Sequence, residues 1–177
     1  MIIHALALAA ALGQAQPSQD GPIATATRGE TVLSERTREA IAYAQSLPPG
    51  APREDYPLVA WCEALVSGHV AAGESLSEPD ELDREIMQLG RLEAADFRGA
   101  LVAAESRASP EMKRLAASAA AEAQAKWAPV LANPDEAARS QTFGLFYGLP
   151  GRCEHAARRV RNNVTAAPAT PEEVGLD

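Results

Sequence analysis

Apolar residues along this chain recur every three or four positions, and no stretch alternates apolar with polar as a half-buried strand would. Leu33, Ala40, Ile41, Ala44 and Leu47 fall near one another at helical spacing. Ser34, followed by Glu35, is the expected N-cap of this first helix, and Pro48-Pro49-Gly50 ends it. A second helix is predicted over about 55–73, with Pro57 tolerated in its first turn. It carries two stripes: Leu58, Cys62, Leu65 and His69, and a strict i, i+4 row of small residues, Ala60, Ala64, Gly68 and Ala72. Such a row lets another helix approach closely.

Ser77-Glu78-Pro79-Asp80 opens the longest predicted helix, running to about 106. Its apolar side reads Leu82, Ile86, Leu89, Phe97, Leu101 and Ala104, with Gly90 and Gly99 as soft points. Ser109-Pro110-Glu111 starts a fourth helix with a capping hydroxyl, a proline at the first helical position and an acid in the first turn. That helix carries Met112, Leu115, Ala119, Ala123 and Trp127, and a kink or stop is expected before Pro129. Asn133-Pro134-Asp135-Glu136 repeats the start grammar for a fifth helix, which fades at residues 143–148. Pro150 and Gly151 set off a last helix over about 152–164. The expected fold is therefore all-α: one bundle of about five to six helices over residues 34–165. A flexible lead-in (16–33) and a disordered tail (166–177, with Pro168 and Pro171) are expected on either side.

Composition agrees with that picture. Alanine makes up about a fifth of the chain and aromatic residues 5%, which favours close helix packing over sheet. A net charge of −8 opposes phosphate backbones and anionic membrane surfaces, so nucleic-acid binding is not expected. The opening MIIHALALAAALGQA is charge-free and apolar, with an h-region over 5–12 and a small-x-small site at Gly13-Gln14-Ala15. It reads as a signal peptide over 1–15, although no Lys or Arg opens it; an uncleaved interfacial anchor or a misplaced start codon stays open. No later segment is long and apolar enough to span a bilayer. The expected location is periplasmic or secreted.

Export changes the meaning of the two cysteines. Cys62 lies on the stripe with Leu58 and Leu65, and Cys153 in line with Ala157 and Val160, so in an oxidising compartment they are expected to pair. Two buried thiols that never meet is the plain alternative. Adding His69 and His155 would make a Cys2His2 metal site, but Cys62 and His69 stand about 10 Å apart along a helix axis, and Cys153-x-His155 points its side chains apart. No metal or cofactor is expected, and covalent haem lacks a C-x-x-C-H.

Catalytic patterns are weak. Ser46, Ser67 and Ser140 sit in no nucleophile elbow, and the neighbours Glu154 and His155 face about 100° apart on a helix. Glu78, Asp80, Glu81, Asp83 and Glu85 read as helix-dipole partners and a solvated face. Phe143, Phe146 and Tyr147, bracketed by Gly144, Gly148 and Gly151 and followed by Arg152, have two readings. They plug the bundle, with Phe146 in the core and Tyr147 at a wet edge, or they form a glycine-hinged binding lip. Arg158, Arg159 and Arg161 form either an acidic partner's footprint or a cationic helix end. Asn163-Val164-Thr165 is a glycosylation sequon, relevant only where the secreting cell has that machinery. The sequence thus points to an exported helical binding protein whose partner is another envelope protein. The alternative is a helical enzyme or metal-binding protein using His69 or His155 with nearby cysteines or carboxylates.

Overall fold

A computed structural model describes residues 31–146 and 148–176. The segments expected to be a leader (1–15) and a lead-in, as far as residue 30, lie outside the described residues, as does Tyr147. Every regular element described is helical: α1 (Val32–Ala44), α2 (Asp55–Glu74), α3 (Glu81–Ala104), α4 (Pro110–Leu131), α5 (Glu136–Gly144), α6 (Arg152–Arg161) and a 3-10 turn over Glu172–Val174. The all-α bundle read from the sequence is the fold.

The start signals act as their chemistry requires. The Asp80 carboxylate accepts from the Asp83 N–H while Asp83 reaches back to the Asp80 N–H, a reciprocal capping box at the head of α3. Ser109 caps α4 with Pro110 at its first position, and Asp135 caps α5 through the Ala137 and Ala138 amides.

α2 is the axis of the bundle. Arg98 pairs with Glu63 at one level and Arg91 with Glu74 at another, so α3 runs antiparallel to α2. α4 runs parallel to it, with Met112 near Asp55 and Tyr56 at one end and Trp127 against Gly68 at the other. The row of small residues serves as expected. A Cβ on Gly68 would lie 2.1 Å from Trp127 Cδ1, so only glycine admits the indole there. The core is drawn from both stripes of α2 (Leu58, Trp61, Cys62, Ala64, Val66), with Ala94, Phe97 and Ala100 of α3, Ala119 and Ala123 of α4, and Cys153, Ala156 and Ala157 of α6.

Several details differ from the sequence reading. α1 is capped by Thr31, whose hydroxyl accepts from the Ser34 N–H, one turn earlier than expected. Its predicted apolar face is split: Ala40 is fully buried and Leu47 packs against the core, but Leu33 is 65% and Ile41 43% exposed, and Glu39 and Ala42 are buried instead. α3 is rotated so that Met87, Gly90, Ala94, Phe97, Ala100 and Ala104 face inward, leaving Leu82 and Leu89 exposed. The stop expected before Pro129 does not occur: α4 continues to Leu131, and the Ala132 N–H still reaches the Ala128 carbonyl. α6 stops at Arg161, followed by Asn163 at φ 54°. The tail expected to be disordered is instead seated against α1, with Ala169 only 5% exposed. Among the described residues no helix is long and apolar enough to cross a membrane.

Candidate functional site

Cys62 and Cys153 form a disulfide across α2 and α6, with Cα atoms 6.0 Å apart and a sequence separation of 91. Both are buried in the core. The bond removes the two thiols that a Cys2His2 metal site would need, and no group of three or more His, Cys, Asp or Glu side chains converges among the described residues.

His69 is held elsewhere. Its Nε2 lies 3.0 Å from the Phe143 carbonyl oxygen, so that nitrogen carries the proton and donates. The imidazole is stacked on Phe143 at 4.5 Å, with Phe146 at 4.3 Å and Trp127 at 5.6 Å. Burial pushes its pKa below the ordinary value, the Phe143 hydrogen bond opposing, so the ring is neutral near pH 7. His155 is also buried, with Nδ1 3.2 Å from the Arg158 guanidinium.

The residues grouped by sequence as one lip are divided. Phe143 is the plug, 2% exposed between α2, α3 and α5, and Phe146 is half-buried over His69 and Trp127. Arg152 serves another region: its guanidinium sits 4.3 Å from the centre of the Tyr43 ring and donates to the Arg53 carbonyl. Tyr147 lies outside the described residues.

The opposite end of the bundle holds a constellation absent from the sequence reading. Arg159 is 6% exposed, and its guanidinium donates to Asp55 at 2.9 Å, to Glu39 at 3.1 Å and to the Ala166 carbonyl. Tyr43 donates to the same Asp55 at 2.6 Å. Burial, then the Asp55 hydrogen bond, raises the Tyr43 pKa far above the ordinary phenol value, so the hydroxyl stays protonated. The Arg run is thus not an open basic footprint. Arg158 pairs with Glu35, Arg159 with Glu39 and Asp55, and Arg161 with Asp96 at 2.6 Å. Arg107 caps the carboxyl end of α6 by donating to the Val160 and Arg161 carbonyls.

Two clefts flank Arg159. One, about 420 Å³, has walls from Tyr56, Ala104, Met112, Val160 and Val164, with Asp55 and Arg159 also lining it. The other, about 370 Å³, lies among α1, α6 and the tail; Arg159 and Val164 line both. Burial, with Glu105 adding to it, raises the Tyr56 pKa, so its hydroxyl remains a donor in the first cleft. Besides the arginine run, the sequence signal for this end was Glu39, an acid interrupting the small residues that α1 buries. Nothing local names its partner 120 residues away.

Comparison of the chain with protein-family models, with curated proteins and with solved structures gave no match.

Proposed function

We propose that this protein is an exported, disulfide-stapled helical binding domain, and that another envelope protein docks at its Arg159 end. The observation that carries this reading is the pair of adjoining clefts sharing one arginine already fixed by two carboxylates. A rigid charged group beside apolar walls is what a partner's side chains need for orientation and for burial respectively. The disulfide fits an oxidising compartment, in line with the apolar leader. The Cys2His2 form of the metal alternative has lost its thiols to the disulfide, and His69 is enclosed by aromatic rings.

Site-specific photo-crosslinking tests it. A benzophenone side chain at Met112, in the first cleft, should give one discrete envelope-protein adduct in cells, and the same group at the exposed Ser118 on α4 should give none. Equal labelling from both positions, or none from Met112, would contradict the proposal.

A further inference from the structure

The tail is held by its backbone more than by its side chains. The Arg159 guanidinium donates to the Ala166 carbonyl, and Glu39 accepts from the Ala169 N–H at 3.4 Å. Ala166, Ala167 and Ala169 line the cleft of about 370 Å³, and Pro168 and Pro171 keep this stretch out of a continuous helix. Further along, Glu173 meets Arg36 at 3.6 Å, with both side chains 55% exposed. The two groups that read the tail are positioned without it, because Arg159 is clamped by Asp55 and Glu39. One fixed cationic donor and one fixed anionic acceptor, matched to a carbonyl and to the N–H three residues on, can recognise any backbone of that shape. The side chains need only be small, as the buried Ala169 shows.

We infer that the α1–α6 groove is a peptide-binding site for a non-helical, Ala/Pro-rich segment of a partner protein. The chain's own residues 165–171 are its resident and displaceable occupant. This rests on the reading of the Arg159 end as a binding face and names the chemistry it takes. The recognised segment carries alanine where Ala169 sits, proline beside it, and an acid further on for Arg36. The attached tail competes at an effective concentration of roughly millimolar, so a segment in trans enters when it binds tighter or when the tail is drawn off.

The test uses the full chain and a fluorescein-labelled peptide of residues 164–176, followed by anisotropy. Ala169→Glu sets a second carboxylate against Glu39 and ejects the tail while leaving the groove unchanged. Glu173→Arg loosens the tail independently by opposing Arg36. Ala169→Glu protein is expected to bind the unsubstituted peptide saturably, at least about 10-fold tighter than the wild-type chain does, with Glu173→Arg in between. A peptide itself carrying Ala169→Glu should not bind. A folded Ala169→Glu chain, disulfide intact, that ignores millimolar peptide overturns the inference; so does equal binding by wild type and variant. If Ala169→Glu does not fold, Glu173→Arg decides: tighter binding than wild type supports the site and unchanged binding overturns it. Loss of peptide binding with crosslinking at Met112 intact removes only this inference. Peptide binding without Met112 crosslinks removes only the envelope-partner reading.

Discussion

The α2–α4 interface and the layer of α1 and the tail laid on α6 are built from the same helix-forming vocabulary but held by opposite means. Between α2 and α4 the contact is apolar and close: Trp127 fills the space over Gly68, and Ala64, Ala119 and Ala123 are all but inaccessible to water. On the other side α1 buries Glu39 with two alanines, while Val32 stands 74% and Leu33 65% exposed. That layer is held by Glu35–Arg158, Glu39–Arg159, Tyr43–Asp55 and Arg36–Glu173. Apolar surface gains nothing from water when it opens, whereas separated charges are hydrated. A polar-held layer therefore opens at a lower free energy than an apolar-packed one, and α1 with the tail is expected to detach before the bundle unfolds.

The largest effect is expected in the apolar region. Trp127→Ala and Phe143→Ala should each cost about 3–5 kcal/mol in urea unfolding, by lost burial and the cavity left behind. Phe146→Ala, at a half-buried position, should cost about 1–2 kcal/mol. Equal losses for Phe143 and Phe146 would contradict the half-buried placement of Phe146.

Next comes the covalent tie between the two regions. Replacing Cys62 and Cys153 together by alanine should destabilise the fold by about 2–4 kcal/mol, since the bond closes a loop across a sequence separation of 91. The loss should fall more heavily on α6 than on α2, as judged by residue-level exchange.

Arg159→Ala separates the two modes of holding most sharply. Removing one partner from an ion pair that must stay buried typically costs about 3–5 kcal/mol. Where the layer can lift and let Glu39 and Asp55 hydrate, the cost is capped by the layer's own opening, below about 2 kcal/mol. A loss of the larger size in urea unfolding would show α1 and the tail to be integral to the cooperative unit.

The smallest effect is a pH dependence at His69. Burial holds its folded pKa below the ordinary 6.5, so the unfolded chain binds the proton more readily. Its contribution is intact above pH 6.5 and is lost as pH falls from there through the folded pKa. The unfolding midpoint of wild type should therefore drop relative to His69→Gln between pH 6.5 and 5. Parallel curves would contradict a neutral, enclosed ring.

Much of the apolar region was legible in the sequence because its rules are local. Ser109-Pro110, Asp80 and Asp135 mark helix starts through their own next turn, and the Ala60–Ala64–Gly68–Ala72 row advertises a close approach without naming Trp127. The cysteine pairing followed from the two stripes and the leader-like composition of the opening residues. The polar layer was illegible for the converse reason. Arg158, Arg159 and Arg161 are alike in sequence, and only the fold gives Arg159 a buried acid from α1 and a half-buried one from α2. The same pairing turned part of the α1 face inside out: Glu39 goes in to meet Arg159, and Leu33 and Ile41 go out. The tail reads as disordered by composition, since its anchor is the backbone of Ala166 and Ala169.

Native-state hydrogen exchange measured residue by residue tests the division most directly. Amides of α2 and α4 should exchange only through global unfolding, while those of α1 and residues 166–176 should exchange through a separate opening several kcal/mol cheaper, which added salt lowers further. Protection in α1 equal to that in α2, unmoved by salt, would contradict a separately held outer layer.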